Sequence, residues 1–414
     1  MDKEKILKLA DGQNRWRGSE CLNMIASENV MSPLAHSVYN SDFMHRYAEG
    51  LPFKRYYQGT RFIDELESGA IELAMEVFRA KQADLRVISG GSANMAAFAA
   101  LASHGDLLFS PGVVGGSHIS HEPFGVAGVL GLKVEHAVFD QNEYNLDTDA
   151  SVRKILETKP KLVTLGGSVI LFPHPVKEFR QACDEIGARL LYDGAHVLGL
   201  IAGGMFQDPL KEGAEIFTAS THKTFPGPQG GIILGNTDEK TWKQVQFRVF
   251  PGLISNHHLH RIPAMAMAML ETREFGKAYA EQTVRNAKAL GAAMDEMGFE
   301  MIAAHKGYTE THQIIADVRK NGGGRHAASA LERANIIVNK NILAWDDVNN
   351  PDDPSGLRIG TQELTRIGMK EREMKHIAEL MKKVVIDGKD PEHVKKEALE
   401  LRKGFQHVHY CFRG

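Results

Sequence analysis

The stretch Ala188–His196, ARLLYDGAH, passes from apolar residues straight into an aspartate, a glycine and a histidine. Its apolar part reads as a strand buried on both faces, since such a strand shows a continuous rather than an alternating hydrophobic run. Upstream, residues 174–187 (HPVKEFRQACDEIG) have helical spacing and stop at a glycine, and residues 160–168 (PKLVTLGGS) form another apolar strand. Downstream, residues 214–221 (AEIFTAST) and 230–235 (GGIILG) add two more. Residues 85–94 (LRVISGGSAN) read as a strand that ends in glycines and runs into a helix over 95–105 (MAAFAALASHG). Strands alternating with helices predict an α/β layer built on a mainly parallel sheet. Ligands bind such sheets at the carboxyl ends of their strands. Asp193 stands at such an end, where a carboxylate caps a helix or pairs with a buried cation.

Composition narrows the function. With 414 residues, the chain is long enough for two domains or for a large domain with a smaller one appended. Apolar residues make up 43%, enough for a substantial core. A net charge of −3 argues against a nucleic-acid surface. Cys21, Cys183 and Cys411 are far apart and form no CxxC pair, so a disulfide framework or cysteine zinc site is not expected. The start, MDKEKILKLADGQNRW, is charged and has no apolar signal core. No run reaches the roughly 18 apolar residues of a membrane span. The reading is a soluble, cytoplasmic protein. The histidine-rich stretch 255–261 (SNHHLHR) raises two competing ideas, a metal site and a partner-binding surface, but it has no zincin or finger spacing.

Four further places carry chemistry. The glycines of ISGGSAN lie between a strand and a helix, where free backbone N–H groups bind an anion; a plain tight turn is the competing reading. Residues 220–231, STHKTFPGPQGG, put Lys223 just after a strand, thirty residues beyond Asp193. A pyridoxal phosphate site needs a Schiff-base lysine, a partner for the pyridine nitrogen and a phosphate cradle. The three parts occur here in the order cradle, carboxylate, lysine. In residues 47–59, YAEGLPFKRYYQG, Glu49 stands between Tyr47 and the pair Tyr56–Tyr57. A carboxyl among aromatic rings is partly desolvated and suited to carrying a proton; an ordinary exposed glutamate is the alternative. Arg358, in SGLRIGTQELTR (355–366), is placed to grip a substrate carboxylate or to form a structural salt bridge.

Over nearly its whole length the chain resembles the serine hydroxymethyltransferase family. The motifs IASEN, YAEGLPFKRYY, DGAHVLGLIA, STHKTFPGPQGG and SGLRIGTQELTR come in the family's order and spacing. DFMHRYAEGLP, FPHPV, SNHHLH and WDDVNN point to the archaeal branch. The resemblance implies an aspartate-aminotransferase-like, fold type I enzyme. Its large domain would hold a mainly parallel seven-stranded sheet, beside a smaller α+β C-terminal domain. The expected divisions are an arm over 1–55 at a dimer interface, a cofactor domain over 56–275 and a small domain over 276–414.

The resemblance also implies roles. Lys223 would hold pyridoxal 5'-phosphate covalently, and Asp193 would pair with its ring nitrogen. His196 and Ser168 would lie near the ring hydroxyl, and His118 would stack on the ring. Gly90, Gly91 and Ser92 would hold the phosphate, with Ser220 and His222 also in the cofactor site. Arg358 and Ser27 would bind the amino-acid carboxylate. Tyr47, Glu49 and Tyr57 would reach into the neighbouring site of a homodimer, and Asn341 would lie near the pterin. The implied reaction interconverts serine and glycine, passing the hydroxymethyl carbon to a tetrahydropterin of folate or methanopterin type. The alternative is a related aldolase or transaldolase that acts without pterin on 3-hydroxy or α-methyl amino acids. Gln229, Ser117, Phe53 and Pro226 depart from the common pattern, where the first three replace an arginine, a glycine and a glycine.

Overall fold

The structure, a computed structural model, describes residues 1–348 and 352–413. Asn349 and Asn350 of the WDDVNN stretch lie outside the described residues. The chain divides into two compact units, Asn29–Glu281 with Tyr410–Gly414, and Met1–Glu28 with Gln282–His409. No described helix is long and apolar enough to cross a membrane.

The first unit is built on a seven-stranded sheet. Across it the strands run Gln82–Asp84, Gly231–Gly235, Ile216–Ser220, Arg189–Asp193, Leu162–Gly166, Leu107–Ser110 and Lys133–His136. All pairs are parallel except those of Gly231–Gly235, which runs antiparallel to both neighbours. Strands Leu162–Gly166, Ile216–Ser220 and Gly231–Gly235 are buried at every position, as their unbroken apolar runs require. Helix Val176–Ile186 makes the crossover between two of them and ends on Gly187, whose φ of 70° supplies the left-handed cap. Val87, Phe98, Leu108, Leu162, Leu191, Ile216 and Ile233 share one core. Each large side chain so buried contributes about 1.5–3 kcal/mol.

Asp193 is the last residue of its strand, in register with Gly166 on one side and Thr218 on the other. Ser220 ends the neighbouring strand, and Lys223 follows three residues later. The strand expected within 85–94 differs: the ladder residues are Gln82–Asp84. The chain turns out of the ladder because Arg86 folds back on Asp84, its N–H at 3.0 Å and its guanidinium at 2.6 Å.

The other unit carries a four-stranded antiparallel sheet in the order Glu300–Met301, Gln313–Asp317, Gly356–Gly360, Asn339–Asn341. Leu22–Asn23 pairs in parallel with Ile336–Ile337. Helix Glu371–Val385 buries Met374, Ile377, Ala378 and Met381, the i, i+3, i+4, i+7 stripe of an amphipathic helix. A long helix, Arg261–Glu296, gives its residues up to 281 to the first unit and the rest to this one.

Candidate active site

Around Asp193, at the carboxyl ends of the strands, buried polar groups are joined in one network. Asp193 is 2% exposed. Its carboxylate accepts hydrogen bonds from Asn94 Nδ2 at 2.8 Å and from the Ala195 N–H at 3.0 Å, and His121 Nε2 lies 3.3 Å away. Burial alone would raise its pKa. The hydrogen bond and field of His121, the field of His118 and the amide of Asn94 outweigh burial and hold it well below the usual carboxylate range. Asp193 is therefore a buried anion at neutral pH.

Asn94 ties this anion to the loop above it. Its Oδ1 accepts from the Thr218 hydroxyl at 2.6 Å, which fixes the amide's orientation. The same Nδ2 donates to Ser120 Oγ at 2.8 Å. Ser120 Oγ in turn lies 2.8 Å from His118 Nδ1. A continuous hydrogen-bonded chain thus links Asp193, Asn94, Ser120 and the half-buried imidazole of His118. His121 is oriented separately, with Thr164 Oγ1 at 3.3 Å from its Nδ1, leaving Nε2–H for Asp193. Asn94 and His121 were not recognised in the sequence. Asn94 has a local signal, as the fifth residue of the helix that the two glycines begin, whereas His121 acquires its role only through the fold.

The glycine segment forms the N-terminus of helix Gly90–Leu101. Ser89 and Ser92 make a reciprocal capping box, each side chain bonding the other's backbone N–H. Gly90 is required by close approach, because a Cβ there would meet Ser220 Oγ at 2.6 Å. Gly91 is open, with Ser89 Oγ at 3.8 Å the nearest atom to such a Cβ. This helix start, hard against Ser220 of the lysine strand, suits a phosphate.

The lysine loop is closed by its own hydrogen bonds. The Thr221 N–H donates to Gly230 O, and Thr221 Oγ1 to Pro228 O. The Lys223 carbonyl accepts from Asn29 Nδ2 at 2.6 Å, and Thr224 Oγ1 donates to His196 O at 2.7 Å. Lys223 and His196 are buried. His222 accepts from the Gly230 N–H, and burial with the charges of Lys223 and Arg261 lowers its pKa to about 4, so it is neutral at pH 7. Arg261, 1% exposed, donates to the carbonyls of Val87 and Gly231 and packs on Gly230. Pro226 is buried within the loop, and Gln229 is exposed. Ser168 is half-buried, its N–H on Gly116 O at 2.7 Å. Ser117 is buried beside His118.

Glu49 is half-buried, next to a hairpin of Gly50–Leu51 with Lys54–Arg55. Tyr47 and Tyr57 are exposed and meet edge to face at 5.5 Å. Phe53, at the hairpin tip, is 68% exposed.

In the other unit Arg358 projects from strand Gly356–Gly360, its Nε on Asn339 Oδ1 at 3.3 Å. Burial lowers its guanidinium pKa to about 10, and it stays charged. Ser27 sits in a turn clamped by Gln362, whose Nε2 donates to the carbonyls of Ile25 and Glu28 at 2.8 and 2.6 Å. Gly360, two residues after Arg358, donates its N–H to Met24 O, so one strand orders both candidate carboxylate ligands. Asn341 is half-buried, and its side chain donates to Ile342 O. Among the described residues no group of three or more His, Cys, Asp or Glu is arranged to hold a metal.

The family profile described as serine hydroxymethyltransferase matches residues 1–381. Among curated proteins, a serine hydroxymethyltransferase of Saccharolobus islandicus is 54% identical over 409 residues, covering 99% of this chain and 94% of that protein. One from Sulfolobus acidocaldarius is 53% identical with the same coverage. One from Methanocella arvoryzae is 53% identical over 414 residues, 100% of this chain and 97% of that protein.

Proposed function

Because the chain belongs to the serine hydroxymethyltransferase family of fold type I, pyridoxal phosphate-dependent transferases, we propose that it interconverts serine and glycine and passes the hydroxymethyl carbon to a tetrahydropterin. The observation that carries the reading is the pairing at the sheet edge. Asp193 is kept ionised in the interior by Asn94 and His121, and the adjacent strand delivers Lys223. A buried anion of this kind suits a protonated pyridine ring, and the Gly90–Ser92 helix start suits the phosphate of the same molecule.

When bound, the pyridoxal group supplies an electron sink for a bond broken at the substrate's α-carbon. The chain's own residues do the rest. The Lys223 amine would hold the cofactor covalently. Asp193 holds the proton on the ring nitrogen. His118, oriented through Ser120 and Asn94, would lie against the ring, and His196, Ser168, Ser220 and His222 would line its surroundings. Arg358 and Ser27 would grip the substrate carboxylate. Glu49 moves the proton that accompanies departure or capture of the one-carbon unit. Asn341 lies beside the pterin, and holding both reactants together converts a bimolecular step into an intramolecular one.

The working unit in this reading is a homodimer, with Tyr47, Glu49 and Tyr57 serving the neighbouring subunit's site. It acts in the cytoplasm on small molecules of one-carbon metabolism. The exposed rings of Tyr47, Phe53, Tyr56, Tyr57 and Phe62, all within residues 47–62, support a covered rather than a bare face. The purified protein is expected to be yellow. Borohydride followed by peptide mapping should place the cofactor on Lys223; label on another lysine, or a colourless protein that takes up no pyridoxal phosphate, rejects the reading. Glu49→Gln is expected to keep the colour and lose most pterin-dependent turnover.

A further inference from the structure

The histidine-rich turn at 255–260 takes no part in the site around Asp193, yet it grips the segment that carries Glu49. The Asn256 side chain spans that segment, its Oδ1 accepting from the Ala48 N–H at 2.9 Å and its Nδ2 donating to Arg46 O at 2.9 Å. On the other side, Arg55 Nη1 donates to the carbonyls of Ala48 and Gly50, at 2.9 and 2.8 Å. The carbonyl of Glu49 itself accepts from the Tyr56 N–H at 3.0 Å. The backbone polar groups flanking Glu49 are thus tied from both sides, although the residue lies in a loop.

Arg55 is fixed in its turn. Its Nε meets Asp64 at 2.8 Å and its Nη2 meets Glu67 at 2.7 Å. Glu67 also accepts from His257 Nε2 at 2.9 Å. The side chains of Arg55, Asp64, Glu67 and His257 are 1%, 8%, 1% and 2% exposed. Charges desolvated to this degree hold one geometry, because breaking any pair strands a buried charge. His258 and His260 stand apart from the clamp, stacked on one another at 5.9 Å.

We propose that Asn256 and His257 are positioning residues for Glu49. Asn256 acts directly on its backbone, and His257 acts through Glu67 and Arg55. Together they set the direction from which the carboxylate reaches its substrate. The inference rests on the proton-transfer role given to Glu49 above.

The test compares Asn256→Ala in the wild-type and Glu49→Gln backgrounds of the holoenzyme. In the wild type it is expected to leave the cofactor absorbance and the KM for serine unchanged and to lower pterin-dependent kcat at least about tenfold, since both side-chain hydrogen bonds to the segment are lost. In the Glu49→Gln background it is expected to add less than about twofold, since a residue acting through another is not additive with it. His257→Gln, which retains a donor for Glu67, should stay more active than His257→Ala. Full activity of Asn256→Ala, or an equal loss in both backgrounds, overturns the inference. A fully active Glu49→Gln is a different result, because it removes the role of Glu49 itself and the inference with it.

Discussion

At the scale of single residues, the decisive feature is a carboxylate made useful by its neighbours. Asn94 serves Asp193, Ser120 and Thr218 at once. Asn94→Ala should therefore destabilise the fold by about 1–3 kcal/mol, the cost of leaving buried polar groups unpaired. Denaturant unfolding measures that loss, and cofactor titration should show weaker binding. Glu363 offers a separate test. It is 6% exposed, accepts from Asn23 Nδ2 at 2.7 Å, and burial pushes its pKa from 4.5 to about 7. Between those values the native state keeps a proton that the unfolded chain has released. Stability therefore falls as pH rises through that window, by at most about 1.4 kcal/mol per pH unit from this group. Glu363→Gln should flatten that part of the stability–pH curve and raise stability at pH 8; an unchanged slope would show that Glu363 does not titrate there. Asp193 and Arg358 stood out in the sequence because one ends an apolar run and the other lies within one, and Lys223 because it follows such a run closely. His121 was not legible, because only the fold brings its ring to Thr164 and Asp193.

Elements divide in the same way. The strands at 162–166, 189–193, 216–220 and 231–235 were legible because burial on both faces leaves continuous apolar runs. Lys133–His136 was not, since it is a partly exposed terminal strand of sequence KVEH with little hydrophobic signature. The strand at 82–84 was displaced downstream in the reading because Leu85 and Val87 are buried without belonging to the ladder. In the proposed function the lysine loop is the element on which the chemistry depends most. Gly230 has φ 156°, and a Cβ there would lie 1.9 Å from the Arg261 guanidinium. Arg261 is itself pinned to two carbonyls, so it has little room to retreat. Gly230→Ala should reopen the loop, lowering cofactor retention while far-ultraviolet circular dichroism stays native. A variant that binds the cofactor as the wild type does would contradict this account of the loop.

At the scale of the whole molecule, the proposed site draws on two chains. If Glu49 serves the neighbouring site, Lys223→Ala and Glu49→Gln should each be inactive alone, and co-refolded mixtures should regain about a quarter of wild-type turnover. Half of the dimers would then be mixed, each with one complete site. No recovery would place Glu49 in its own chain's site. The most direct measurement is conversion of serine to glycine by the holoenzyme, run with tetrahydrofolate, with tetrahydromethanopterin and with neither. The account predicts rapid glycine formation with at least one carrier and little without. Serine cleavage at full rate with no pterin present would contradict it and leave an aldolase in its place.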